Sequence, residues 1–340
     1  MTSQAAAGDG PKGTDVRAVV VAEPGGPEQL QIVERPVPTP DAGELLVKVH
    51  ATSVNRADVM QRQGRYPPPD GAGDVLGLEA AGEVVETGSA VSGWRPGDRL
   101  AALLASGGYA EYATVAAQTA LRLPDMPWTE AGGLAEVFCT AYDNVLVRGR
   151  LRAGETLLVH GVSSGVGTAA TQLAVRAGAR VIGTASSSAK LAAAADLGAH
   201  DGIDYTTEDF VERARALTAG RGVDVVLDMV GGPYLQRNLD VLAPEGRLVI
   251  IGLQGGARAQ VPLAQVMSQR LTVTGSTMRA RSVAGKAQVA RGMEADVLPG
   301  FADGSLRVVV DSVFDLDRVA AAHQALEAGD HIGKIVLAVA

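Results

Sequence analysis

Residues 156–184 read TLLVHGVSSGVGTAATQLAVRAGARVIGT, and the fold follows from this stretch. An apolar run from Thr156 to His160 meets a turn of small residues, then a helical pattern, then a second apolar run from Arg180 to Thr184. Strand, turn, helix and strand in that length predict a βαβ unit of the dinucleotide-binding kind. The chemistry lies in the turn. Unpaired N–H groups at a helix start, at the positive end of its dipole, bind a phosphate pair if the side chains are small enough for close approach. Val162, Ser163, Ser164, Gly165, Val166 and Gly167 supply such a surface. Against the pattern G-x-G-x-x-G, only the third glycine, Gly167, is in place. Val162 takes the first position and Ser164 the second, where its hydroxyl can donate to a phosphate oxygen. On the motif alone, an ordinary glycine-rich turn without a ligand fits as well.

The chain downstream favours the ligand. Asp201 to Tyr205, Val223 to Leu227, Arg247 to Gly252 and Leu271 to Gly275 are further apolar runs separated by helix-length segments. Continuous Val/Ile/Leu runs suit strands covered on both faces of a parallel sheet. The loops after such strands line the ligand crevice. That nominates Val230 to Gly232, Gly252 to Gly256 and Ser276 to Met278, with Gly232, Gly252, Leu253, Ser276 and Thr277 as cofactor-binding candidates. The place where NAD sites carry a carboxylate reads Thr184, Ala185, Ser186, Ser187, Ser188, Ala189, Lys190, with no acid until Asp196. Hydroxyls and a lysine accept a 2′-phosphate that a carboxylate would repel. Ser186 and Lys190 are therefore expected to favour NADPH over NADH.

The 340 residues suffice for two domains, and 46% hydrophobic content supports sizeable cores. A net charge of −8 argues against nucleic acid or an anionic membrane as the main partner. Cys139 is the single cysteine, so an intramolecular disulfide and a cysteine-based zinc site are excluded; it reads as a small buried hydrophobe. There is no apolar run of membrane-spanning length and no signal pattern, so a cytoplasmic address is expected. Residues 1–15 read as a disordered tail. Between residues 16 and 134 the texture changes. Arg17 to Ala22, Leu30 to Arg35, Leu45 to Thr52, Val84 to Gly88, Asp98 to Leu103 and Tyr109 to Val115 are short runs divided by Pro and Gly. They predict an antiparallel or barrel-like β domain. Leu316 to Ala328 has a helical pattern and feeds a strand at Ile335 to Val339.

With these segments in hand, the chain resembles the medium-chain dehydrogenase/reductase superfamily, and within it the zinc-free quinone oxidoreductases of the zeta-crystallin type, nearest their tumour-suppressor-inducible branch. The carriers are VNRADVMQRQGRYPPP (54–69), GLEAAGEV (77–84), GGYAEY (107–112), HGVSSGVGTAATQLA (160–174) and GKIVL (333–337). The resemblance implies an α/β protein with a GroES-like β domain built from residues 16–135 and 277–340, and a Rossmann doubly wound parallel-sheet domain over 136–276. It places Asn55 and Tyr66 in the substrate pocket, Thr140 at the nicotinamide end and Tyr205 at the adenosine phosphate end of NADPH. A homodimer is a family-level expectation.

Departures from the wider superfamily bear on the chemistry. Its zinc alcohol dehydrogenases carry a ligating cysteine near position 56 and Gly-His-Glu near 77–79, where this chain has Arg56 and Gly77-Leu78-Glu79. The five histidines form no ligand cluster by spacing, so no metal is expected. A quinone is already electrophilic. The protein then has to hold nicotinamide C4 against it and offer donors, from Asn55 or Tyr66, to the developing oxyanion. Two other functions fit the same residues. One is an enoyl-thioester reductase in which Tyr66, within Gly64-Arg65-Tyr66-Pro67, donates the proton. The other is a binding protein that senses NADPH without useful catalysis; nucleic-acid binding by it is disfavoured by the acidic balance.

Overall fold

The computed structural model describes residues 13–339. Residues 1–12 of the expected tail lie outside the described residues, and the first strand already begins at Asp15. In chain order the strands are β1 (Asp15–Val21), β2 (Leu30–Pro36), β3 (Glu44–Val54), β4 (Glu79–Thr87), β5 (Arg99–Leu103), β6 (Tyr112–Ala116) and β7 (Ala120–Arg122). There follow β8 (Thr156–His160), β9 (Arg180–Ala185), β10 (Asp201–Asp204), β11 (Val223–Asp228), β12 (Leu242–Ile250), β13 (Thr272–Gly275), β14 (Val310–Asp315) and β15 (Lys334–Ala338). The chain divides into two compact units, one running up to Glu136 and resuming at Arg279, the other Val137–Met278.

In the first unit, β3 is the organising strand. Over its eleven residues it pairs antiparallel with β4, with β6 and with β15. The sheet runs β14-β15-β3-β4-β5-β7, and β1 pairs with β2 in a separate hairpin-like ribbon. Its core includes Val19, Leu45, Val47, Leu76, Leu100 and Ile335. Both ends of the chain therefore build one GroES-like β unit. Tyr109, expected in a strand, instead lies in the loop before β6, fully buried.

In the second unit six strands are ordered β10-β9-β8-β11-β12-β13, and all pair parallel. Every residue of β8 and of β11 is buried, Asp224 and Asp228 of β11 included, which accounts for their largely apolar character. From β8 the chain winds outward through β9 and β10, then returns to β11 and winds the other way. The order reverses between β8 and β11, and in a doubly wound sheet the ligand crevice opens outside their carboxyl ends.

The first turn of this sheet shows why the glycine pattern is degenerate. Ser164 caps the helix Gly165–Arg176, its Oγ accepting the Gly167 N–H at 3.0 Å. A Cβ on Gly167 would lie 2.3 Å from the Gly161 carbonyl oxygen, so that glycine is required by close packing of helix on turn. Val162, at the first-glycine position, is fully buried. It fits because β9 carries Gly183 opposite it, where a Cβ would lie 2.7 Å from Val162 Cγ2. The lost glycine in the turn is thus matched by a glycine in the neighbouring strand. Gly183→Ala is expected to lower stability by about 1–3 kcal/mol through overpacking. In urea unfolding the double variant with Val162→Ala should lose less than the sum of the single losses, because the smaller residue releases the clash.

Candidate active site

The two units each carry a set of candidate functional side chains. In Val137–Met278 these gather at the carboxyl ends of the parallel strands. The N–H groups of Gly165 and Val166, the first two residues of the helix after β8, make no hydrogen bond to described residues. With the helix dipole they fit a pyrophosphate. Ser163 is buried beside them. The Ser164 oxygen is used as a cap, but its O–H stays available to donate to an anion.

At the end of β9, Ser187 caps the next helix, accepting from the Lys190 N–H at 3.4 Å. The Tyr205 N–H donates to the Ala185 carbonyl at 3.1 Å, which brings the half-exposed tyrosine beside Ser186. Asp204, invisible to an argument along β9 alone, is the parallel neighbour of Ala185. Its carboxylate is turned into its own loop, accepting from the Thr206 N–H at 3.0 Å and the Thr206 hydroxyl at 2.6 Å, which hold it below the usual carboxylate range.

The loops after β11 and β12 join into one platform. Gly232 N–H donates to the Gly256 carbonyl and Gly255 N–H to the Val230 carbonyl. A Cβ on Gly232 would lie 2.5 Å from the Arg258 carbonyl oxygen, and one on Gly252 2.8 Å from that of Met229. These glycines serve the approach of loop to loop whatever they do for a ligand. Leu253 and Thr277 are exposed. The Ser276 hydroxyl donates to Asn144 Oδ1 at 2.8 Å, and Asn144 Nδ2 donates to the Thr140 carbonyl at 2.8 Å. Thr140, Asn144 and Ser276 are therefore one tie fixing the end of β13. Asp228, the last residue of β11, is buried and accepts from the N–H groups of Val230 and Gly231; burial pushes it up to about 6 against those hydrogen bonds.

In the β unit, Asn55 caps the helix Arg56–Arg62 through its backbone, its N–H donating to Asp58 Oδ2 at 2.8 Å. Its side chain turns to a buried ion pair, Glu79–Lys334, with N···O 3.2 Å. Lys334 Nζ donates to Asn55 Oδ1 at 2.7 Å, and Asn55 Nδ2 donates to Glu79 Oε1 at 3.0 Å and to the Ser53 carbonyl at 3.3 Å. The Ser53 hydroxyl and the Glu136 N–H also donate to Glu79. Asn55 has both amide hydrogens committed inside the protein, so it supports the site rather than facing it with a spare donor. Arg56 reaches the Leu326 carbonyl instead.

Tyr66 is half-buried, and its hydroxyl makes no hydrogen bond to described residues. Burial raises it, partly offset by Arg279, whose guanidinium lies 5.5 Å from the ring centre. Among the described residues no three His, Cys, Asp or Glu side chains converge as a metal would need, and no helix is long and apolar enough to cross a membrane.

Sequence reasoning missed Glu79 and Lys334, although both stand in quoted segments, GLEAAGEV and GKIVL. It also missed a fully buried polar chain. Arg62 NH1 donates to His323 Nδ1 at 3.3 Å, leaving Nε2 to donate to the Tyr109 oxygen at 3.3 Å, whose O–H donates to Asp58 Oδ2 at 3.2 Å. Burial, then the Arg62 charge, hold His323 down to about 3, so it stays neutral. Lone His and Asp residues at helical spacing carry no sequence signal for such a chain.

Two family models match the chain: the alcohol dehydrogenase GroES-like domain over residues 41–125 and the zinc-binding dehydrogenase model over residues 165–293. The quinone oxidoreductase of Lama guanicoe is 32% identical over 326 residues, covering 95% of this chain and 97% of the relative. The Escherichia coli quinone oxidoreductase solved in complex with NADPH superposes with a TM-score of 0.86 at 31% identity, covering 95% of this chain and all of the other. AibC superposes with a TM-score of 0.82 at 33% identity, covering 95% and 96% of the two chains. The chain belongs to the medium-chain dehydrogenase/reductase superfamily, in its zeta-crystallin-like quinone oxidoreductase family.

The buried carboxyl of Asp58 sets a pH test. Burial pushes it from 3.8 up to about 7, against the Asn55 N–H. The folded state then binds more protons than the unfolded, so the stability from this group is full below about 4 and is lost as pH rises through about 7. Asp58→Asn should gain stability relative to the parent between pH 5 and pH 8, read from urea midpoints; an unchanged difference would show that Asp58 is ionised throughout.

Proposed function

We propose that this protein reduces a quinone or similar conjugated carbonyl with NADPH, without zinc. NADPH-dependent oxidoreduction is the family's common ground, and the Escherichia coli neighbour is a quinone oxidoreductase solved with that cofactor. When bound, NADPH supplies a hydride. The orphan N–H groups of Gly165 and Val166 hold its pyrophosphate, and Ser186, Lys190 and Tyr205 its 2′-phosphate. Thr140, Gly232, Gly252, Leu253, Ser276 and Thr277 line the rest of the dinucleotide site in this reading. Metal-free chemistry is supported by the donor set: where a cation would be sought, Glu79 already has Lys334 as its counter-charge.

The observation that carries the acceptor chemistry is Tyr66. Asn55 and Lys334 are saturated within the protein, whereas the Tyr66 hydroxyl is uncommitted and still protonated at neutral pH. The same free hydroxyl supports the second reading, an enoyl-thioester reductase in which Tyr66 gives its proton to carbon. A homodimer joined along β13 belongs to this reading. That strand is an edge of its sheet, and Val273 on it, with Leu263 and Met267 on the preceding helix, are exposed at 38%, 68% and 78%.

The experiment follows nicotinamide absorbance with 1,4-benzoquinone, 9,10-phenanthrenequinone and crotonyl-CoA in parallel, with NADPH and NADH. Quinone turnover with NADPH preferred is the expected result. Tyr66→Phe should lower kcat/KM by about 100-fold, the loss of one donor or acid group. Turnover of the thioester alone assigns the second reading, and tight NADPH binding with no turnover sinks both.

A further inference from the structure

The segment that carries Tyr66 is poorly held by its own main chain. It runs from the end of the Arg56–Arg62 helix towards β4 and contains Pro67, Pro68 and Pro69, which have no N–H to donate. The Arg65 N–H donates to the Met60 carbonyl and the Ala72 N–H to the Pro69 carbonyl; among the described residues, no N–H between those two makes a backbone hydrogen bond. A phenol on such a segment keeps one place only if a group outside the segment holds it.

Arg279 meets that need. It is 5% exposed and opens the returning part of the β unit. Its Nε donates to the Ala105 carbonyl at 2.8 Å, and one terminal nitrogen donates to Gln61 Oε1 at 2.6 Å. These two bonds lock the guanidinium between the loop after β5 and the Arg56–Arg62 helix. The other terminal nitrogen then reaches the Tyr66 carbonyl at 3.4 Å, and the cation lies 5.5 Å from the centre of the Tyr66 ring. A lysine has no rigid planar fork with which to serve acceptors in three segments. One side chain thus meets Tyr66 at main chain and ring and leaves its hydroxyl free.

We propose that Arg279 is a positioning residue: anchored on Gln61 and Ala105, it holds the Tyr66 carbonyl and ring so that the hydroxyl meets the acceptor oxygen. The inference rests on the reductase reading above, in which Tyr66 donates to that oxygen. Arg279 acts through Tyr66 and not on the acceptor. A donor displaced by about 1 Å loses on the order of 100-fold in rate. The charge has a second effect. Arg279 favours the ionised phenol, while burial and Glu136 oppose it, so without the arginine Tyr66 is harder to ionise.

A double-variant cycle tests this. Arg279→Met should lower kcat/KM for the quinone by about 100-fold and leave NADPH affinity by fluorescence unchanged. In the Tyr66→Phe background the same change should cost no more than about threefold, since the group it positions is already gone. Losses that multiply overturn the proposal, because they show a role that does not pass through Tyr66. Arg279→Lys keeps the charge without the fork and should lose about tenfold; it carries the cycle if the methionine variant does not fold. A second readout needs no turnover. With 3-fluorotyrosine at the six tyrosines, the Tyr66 fluorine resonance is identified by its absence from Tyr66→Phe. Its titration midpoint should rise by about one pH unit in Arg279→Met. An unmoved midpoint overturns the proposal, whatever happens to the rate. If the parent turns over neither quinone nor enone, the reductase reading fails, and the fluorine titration still decides whether Arg279 holds Tyr66.

Discussion

The β unit depends on one buried ion pair. Glu79 opens β4 and Lys334 opens β15, and both are almost wholly removed from water. Two charges in such a place are tolerated only when every remaining lone pair and hydrogen has a partner. Here Ser53, Asn55 and Glu136 supply donors to the carboxylate, while Val54 and Asn55 supply acceptors to the ammonium. The pair therefore fixes the end of β3, the start of the Arg56–Arg62 helix and the Glu136 backbone to one another.

A neighbouring carboxyl feels the same field. Glu136 is pushed up to about 7, first by burial and then by the Glu79 charge, with Lys334 pulling the other way. Asp58 is displaced in the same direction. The unit thus holds a carboxylate with a lysine as its counter-charge and two carboxyls that burial raises to about 7. Separating the environments of like groups is how one site obtains both charge and proton capacity at a single pH.

Much of the architecture was legible because it is written in local pattern. The mostly apolar runs at Thr156 to His160 and Val223 to Leu227 are strands buried on both faces, and the turn after the first carries its helix cap in Ser164. The substitution of Val162 for a glycine was legible as a departure, but not its compensation, since Gly183 lies in another strand. Site residues were harder for the same reason. Asn55 was readable as a candidate, but its neighbours Glu79 and Lys334 are 24 and 279 positions away along the chain. The weak run at Asp201 to Tyr205 became an edge strand whose Asp204 sits beside the β9 end, a placement that only sheet order reveals.

The pairing of β15 with β3 also imposes an order on synthesis. The parallel sheet is complete in sequence once Met278 has been made, and all its strand partners lie within 142 consecutive residues of the Val137–Met278 unit. The β unit is not complete at that point. Its central strand emerges early yet must wait for Ile335 to Ala338 to cover its second edge, and Glu79 must wait for Lys334. Until Lys334 leaves the ribosome, a carboxylate destined for burial lacks this counter-charge. Contacts across so long a stretch of chain close slowly, so the Val137–Met278 unit is whole while the β unit is still open.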